Sequence, residues 1–334
     1  MTGIEVDELG KVYPDGTTAL AGVSFQVPEG QIFGLLGRNG AGKTTTVRIL
    51  TTLTRLTSGR ARVLGRDVDR EREQLRQEIG LSLQQAALDQ LSTGREHLDL
   101  IAGLRRMPSR AARERTAELL AVFGLDSMAD KLVATYTVGM QRRLDTAMAL
   151  VGRPRLLFLD EPTTGLDPQS RRALWQIVRQ FRQDGGTVLL TTQYLDEADE
   201  LCDRLAIMDG GRIAVVDTPA GLKRGLGGKV LVIRPAPAEP IEALDRLLAE
   251  HTVRREGGAL HIDLTGHEEQ LPDMLATLRV HGVSGCDLSL TDPTLEEVFV
   301  RLTGDGAETS GRGAEAAGVA AIGRTIVSHA GGRR

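Results

Sequence analysis

Aromatic side chains are scarce in this 334-residue chain: one Trp, three Tyr and six Phe, or 3%. Extended stacking platforms for single-stranded nucleic acid are therefore not available. Neither sign of charge dominates, because 41 Lys and Arg face 45 Asp and Glu for a formal net charge of −4. That balance leaves no broad basic footprint for nucleic acid. Cysteine occurs twice, at Cys202 and Cys286, with no Cys-x-x-Cys or Cys-His spacing. Both read as small buried residues in a reducing compartment. His97, His251, His261, His267, His281 and His329 show no metal-ligand spacing. No uninterrupted apolar run approaches the length of a membrane span. Residues 1–8 are acidic and lack the apolar stretch of a signal peptide. The expectation is a soluble, cytoplasmic chain of about two domains that reaches a membrane only through a partner.

What is present concentrates in one loop. Gly37-Arg38-Asn39-Gly40-Ala41-Gly42-Lys43-Thr44 fits Gly-x-x-x-x-Gly-Lys-Ser/Thr. An apolar strand at 31–36 leads into it and a helix at 45–54 follows. Small residues let successive backbone N–H groups close on phosphates, and the helix N-terminus adds partial positive charge. Lys43 can reach the β- and γ-phosphates, and the Thr44 hydroxyl can ligate Mg²⁺. The pattern predicts binding of a nucleoside triphosphate. Downstream, Leu156-Leu157-Phe158-Leu159-Asp160-Glu161 ends a buried strand in two carboxylates. Asp160 there can hold the magnesium, directly or through water. Glu161 can orient or deprotonate the water that attacks the γ-phosphate, since phosphoryl transfer asks mainly for positioning and charge stabilisation.

Hydrophobic periodicity organises the rest of the chain. Short β-rich segments (21–27, 61–64) precede a stretch of helical character at 85–150, which includes an amphipathic run at 110–123. Buried strands follow at 155–159 and 187–192, separated by a helix at 168–183. Strands at 205–208 and 212–216 flank a turn at Asp209-Gly210-Gly211. Pro and Gly cluster at 218–228, marking a boundary. Beyond it the pattern reads strand (229–234), helix (241–251), strands (252–256, 259–264), helix (268–281), strand (283–290) and a short helix (295–302). This β-α-β-β-α-β order predicts a small ferredoxin-like α+β module at 228–303. Residues 304–334, rich in Gly and Ala, read as a disordered tail. Trp175 is expected to pack on the sheet, and Arg105-Arg106 and Arg142-Arg143 read as solvated helix faces.

The phosphate loop, Tyr136-Thr137-Val138-Gly139-Met140-Gln141 and Asp160-Glu161-Pro162-Thr163-Thr164-Gly165-Leu166-Asp167-Pro168 together resemble the ATP-binding cassette (ABC) ATPases over residues 4–217. The resemblance implies an α/β phosphate-loop ATPase domain at 1–220 with an inserted helical subdomain at about 85–150. It implies ATP and Mg²⁺ as cofactors, with Gly37, Asn39, Gly40, Gly42, Lys43, Thr44 and Thr45 around the phosphates. Tyr13 looks like the residue that stacks on adenine. Gln84, or its neighbour Gln85, looks like the glutamine that touches Mg²⁺ or the water and senses a membrane partner. Thr44, Gln84 and Asp160 would then share the metal. Thr137, Val138 and Gly139 resemble the segment that caps the γ-phosphate of an opposing subunit, and Asp167 the residue that couples the two sites. Gln193 stands where many members carry a histidine on the γ-phosphate.

Thr191-Thr192-Gln193-Tyr194-Leu195-Asp196-Glu197-Ala198-Asp199 and Asp292-Pro293-Thr294-Leu295-Glu296-Glu297-Val298-Phe299 look like the daunorubicin/doxorubicin-resistance type of drug-export ATPase. The implied partners are an integral membrane permease and a second ABC subunit, with no nucleic acid. The implied location is peripheral, on the inner face of the cell membrane. An importer ATPase and a soluble ABC protein are the rival readings. Two departures stand out. Gln193 donates hydrogen bonds but carries no charge. Val138 replaces a glycine, and strain there would be roughly 1–2 kcal/mol if its φ had to be positive. Either a homodimer tolerates this with weak hydrolysis, the preferred reading, or the chain pairs with a different ABC subunit.

Overall fold

The computed structural model describes residues 1–84, 87–225, 229–234, 253–256, 258–264, 271–280, 287–291 and 294–303. The chain divides into two compact units, Met1–Thr218 and Pro219–Arg334.

The first unit holds two sheets. Strands β1 (Thr2–Val12), β2 (Thr18–Pro28), β4 (Ser58–Val63) and β5 (Arg66–Asp67) form an antiparallel sheet in the order β2-β1-β4-β5. Strand β1 went unread in the sequence because charged residues interrupt it. Ile4, Val6 and Leu9 are buried, whereas Glu5, Asp7 and Glu8 face outward. Register shifts break the simple alternation.

The second sheet combines β3 (Ile32–Gly37), β6 (Ile79–Ser82), β7 (Leu156–Asp160), β8 (Thr187–Thr192), β9 (Arg204–Asp209) and β10 (Arg212–Asp217). Its order is β10-β9-β3-β8-β7-β6, parallel except for the β9–β10 pair. Every residue of β3, β7 and β8 is buried, as expected of parallel strands covered on both faces. Phe25 on β2 stacks on Phe33 of β3, centroids 5.3 Å apart, and joins the two sheets into one core.

Helix α1 (Lys43–Leu50) follows β3 and ends four residues before the expected limit at 54. Thr52 takes a φ of 64° there, and the N–H groups of Leu53 and Thr54 turn back onto the Arg48 carbonyl. Helix α2 (Arg72–Glu78) leads into β6. The helical segment holds α3 (Gly94–Leu104), α4 (Ser109–Val122) and α5 (Val138–Leu150). A Thr93–Glu96 capping box starts α3. Helix α6 (Pro168–Gln183) connects β7 to β8, and α7 (Leu195–Leu201) connects β8 to β9.

In the second unit, β11 (Val230–Arg234), β12 (Val253–Glu256), β13 (Ala259–Asp263) and β14 (Asp287–Thr291) form an antiparallel sheet ordered β12-β13-β11-β14. That is the strand order of the ferredoxin-like split β-α-β unit. Helices Leu271–Val280 and Leu295–Thr303 accompany it, and helix Pro219–Gly225 belongs to this unit as well. Leu231, Ile233, Leu260, Ile262, Leu264 and Met274 make its core. The helix expected at 241–251 and the tail at 304–334 lie outside the described residues, as does Gln85.

Candidate nucleotide-binding and hydrolysis site

The site is built at the carboxyl ends of β3, β7 and β8, where a parallel sheet presents its loops. Glycine is required at two loop positions by geometry. Gly42, the N-cap of α1, has φ 101°, and a Cβ on it would fall 2.6 Å from Leu20 Cδ2. A Cβ on Gly37 would lie 2.5 Å from the Met208 carbonyl oxygen. Asn39 and Gly40 are exposed at the loop tip, Gly40 with φ 84°.

Lys43 is buried inside this loop. Its ammonium donates to the Gly37 carbonyl at 2.7 Å and the Arg38 carbonyl at 3.1 Å, and lies 3.4 Å from Glu161 Oε1. Burial holds its pKa below the ordinary lysine value, against the pull of Glu161 and Asp160. The Thr44 hydroxyl donates to Asp160 Oδ1 at 3.1 Å, and Thr191 donates to the same oxygen at 2.6 Å. Asp160 Oδ2 is buried and has no hydrogen-bond partner among the described residues. A buried carboxylate oxygen so oriented beside a hydroxyl fits a magnesium ion, which takes one or two protein oxygens and completes its shell with water and phosphate. No group of three or more His, Cys, Asp or Glu converges among the described residues, so a site of the zinc type is absent from them.

Glu161 is 5% exposed and adopts φ 48°. Its N–H donates to the Thr191 carbonyl at 3.1 Å and hydroxyl at 3.0 Å. Gln84 Nε2 donates to Glu161 Oε2 at 3.0 Å, and the Thr164 hydroxyl reaches the same oxygen at 3.3 Å. Thus Lys43, Thr44, Gln84, Asp160 and Glu161 converge, although Gln84 is remote from the others in sequence. Tyr13 sits at the edge of this group, its hydroxyl 3.4 Å from Thr45 Oγ1, with Lys11 Nζ 5.0 Å from its ring centroid. Gln193 is half-buried just past the end of β8.

A second cluster forms where α5 and α6 begin. Thr137 is the N-cap of α5, its hydroxyl accepting from Met140 N at 3.2 Å. Val138 opens that helix, is 63% exposed, and is not among the residues with positive φ. The condition for backbone strain at Val138, a positive φ, is therefore not met, because the helix supplies a conformation that valine adopts freely. Gly139 is buried against α6, where a Cβ would fall 2.6 Å from Ser170 Oγ. Asp167 caps α6, accepting from Gln169 N at 3.0 Å, Ser170 N at 2.9 Å and Ser170 Oγ at 2.6 Å. The Ser170 hydroxyl, then the backbone N–H groups, hold its pKa below the usual carboxylate value.

Two residues of the site, Thr191 and Arg142, escaped the sequence reading. Thr191 holds both Asp160 and Glu161. Arg142, expected on a solvated face, is instead 6% exposed and bonded to backbone carbonyls beside Gln84 and Glu161. Away from the site, at the amino end of β6, Arg105 is half-buried and donates to the Gln77 and Ile79 carbonyls at 2.9 and 3.0 Å. Only the paired threonine that ends β8 could have signalled the first; nothing local distinguishes the two arginines.

A phosphate loop facing a buried Asp-Glu strand end, with a helical segment inserted between them, defines a nucleoside triphosphatase of the phosphate-loop class. Residues 20–164 match the ABC transporter family. The daunorubicin/doxorubicin resistance ATP-binding protein DrrA of Streptomyces peucetius is 44% identical over 310 residues, covering 91% of this chain and 93% of that protein. Among solved structures, an ATP-binding subunit of an ABC transporter superposes with TM-score 0.61 at 28% identity, over 66% of this chain and 92% of its own. The dimeric structure of the bacterial ABC transporter cassette MJ0796 gives TM-score 0.60 at 25% identity, over 64% of this chain and 98% of its own. The chain belongs to the ABC transporter family as an ATP-binding, ATP-hydrolysing subunit. Such cassettes dimerise and work with a membrane permease.

Proposed function

We propose that this chain powers the export of a drug-like small molecule through a separately encoded permease, working as a head-to-tail dimer on the inner face of the membrane. The hydrolytic reading is carried by the convergence of Lys43, Gln84 and Glu161 beside the Thr44–Asp160 pair. In it, the phosphate-loop N–H groups and Lys43 hold the terminal phosphates. Glu161 orients the attacking water and accepts its proton, steadied by Gln84. Mg²⁺, when bound, would neutralise phosphate charge from a position held by Thr44, Asp160 Oδ2 and Gln84. Tyr13 stacks on the adenine. Thr137 to Gly139 cap the nucleotide of the opposing protomer, with Asp167 beside them, and Gln193 donates to the γ-phosphate.

The export reading is supported by similarity to a resistance protein along nine-tenths of the chain, the second unit included. Among the described residues no helix is long and apolar enough to cross a membrane, so transport needs a partner. A homodimer is preferred, since nothing in the backbone at Val138 damages the cap. Glu161→Gln should retain ATP binding and lose roughly two to four orders of magnitude in turnover, the usual weight of a general base. Tagged protein drawn from gently solubilised membranes should bring a polytopic protein in stoichiometric amount. Ribosomal or DNA-bound partners without a membrane protein would sink the export assignment.

A further inference from the structure

We infer that Arg142 is a positioning residue, tying helix α5 to the two loops that carry Glu161 and Gln84. This rests on the catalytic reading of Glu161 given above. The Arg142 guanidinium spends its donors on three main-chain carbonyls: Nε on Pro162 at 2.9 Å, Nη1 on Leu83 at 2.6 Å, Nη2 on Glu161 at 2.7 Å. One rigid fork therefore holds the carbonyl just before Gln84 and the carbonyls of Glu161 and its successor. Asp145, one turn further along α5, lies 3.9 Å from Nη1 and accepts a hydrogen bond from Ser82 at the end of β6. The same helix face is thus fastened a second time to the strand that delivers Gln84.

Glu161 is a residue that needs holding. Its φ of 48° lies in the left-handed region, which a non-glycine residue keeps only where its surroundings over-determine it. Thr191 fixes its N–H, and Arg142 fixes its C=O. A planar guanidinium is suited to this because its donors are fixed relative to one another, whereas a lysine ammonium offers a point charge on a flexible stem. Thr137, Val138 and Gly139 open the helix that bears Arg142. A shift of that helix start is carried to the peptide of Glu161 by the arginine fork.

The test compares purified full-length wild type, Arg142→Lys, Arg142→Ala, Glu161→Gln and the double variant of Arg142→Lys with Glu161→Gln. ATP affinity is read by titration with a fluorescent ATP analogue, turnover by phosphate release and folding by thermal melting. Arg142→Lys should melt as a folded protein and bind nucleotide within about twofold of wild type, while kcat falls roughly ten- to a hundredfold, as for a misplaced catalytic group. Arg142→Ala should fall further and recover part of its kcat in millimolar guanidinium. The double variant should turn over at the rate of Glu161→Gln alone, because the arginine acts through the glutamate. A folded Arg142→Lys with kcat near wild type would overturn the inference. So would a double variant slower than Glu161→Gln by the full factor that separates Arg142→Lys from wild type. Glu161→Gln retaining wild-type turnover would overturn the reading of Glu161 itself, a result distinct from either of these.

Discussion

Glu197 on α7 is fully buried, and the indole N–H of Trp175 donates to its Oε1 at 3.0 Å. Burial, the largest influence, raises its pKa above the ordinary value of 4.5, opposed by hydrogen bonds from Thr192, Trp175 and Thr163. Below the unfolded-state pKa both states bind the proton. Between that value and the raised native pKa only the folded state does, so stability falls as pH rises through this window and stays lower above it. Glu197→Gln should remove that decline, seen as a flatter plot of unfolding free energy against pH above 4.5. A parallel slope in wild type and variant would refute the assignment. Val138 poses a different residue-scale question. Its backbone is helical and its side chain exposed, so the proposed route to turnover is contact across the dimer. Val138→Gly should raise the ATPase rate of a homodimer several-fold, with a stability loss of only about 0.4 kcal/mol from helix propensity. No increase would mean that the cap accommodates valine.

Helices α5 and α6 meet where Gly139 backs onto Ser170. An alanine at 139 would place its methyl 2.6 Å from Ser170 Oγ, the hydroxyl bonded to Asp167. Gly139→Ala should cost roughly 1–3 kcal/mol by overpacking, read from chemical denaturation. Adding Ser170→Ala should recover much of that loss; failure to recover would place the strain elsewhere. The same pair of elements shows what a sequence can and cannot disclose. The bounds of α6 and β8 are legible because Asp167-Pro168 is a local start signal and Thr187 to Thr192 is uniformly apolar or β-branched. The phosphate loop and Asp160-Glu161 are legible because their chemistry is written in contiguous residues. The short end of α1 follows from a single left-handed residue, Thr52, that composition does not announce. Arg142 was misread because its partners, Leu83, Glu161 and Pro162, come from separate strand ends, and only the assembled sheet brings their carbonyls to one helix face. Thr191 was hidden for the same reason.

On the scale of the whole molecule, the first unit closes on its own sheets and core, and all the proposed ATP contacts of one protomer lie within Met1–Thr218. That unit expressed alone should unfold in one cooperative transition and bind an ATP analogue with the affinity of the intact chain. A non-cooperative melt would show that the second unit is part of the folding core. Nucleotide affinity lost despite a cooperative melt would show that the second unit shapes the site. The scarcity of aromatic residues has one more outcome. Trp175 is the sole tryptophan, and it sits on α6, whose cap is Asp167, bonded to α7, which follows Gln193. Ultraviolet emission excited at the red edge of protein absorption therefore comes from one indole per protomer. Its environment includes a buried carboxyl that titrates and two helices that lead away from Asp167 and Gln193. The protein carries its own optical reporter, and a change in its colour or intensity during a catalytic cycle can be assigned to a single place.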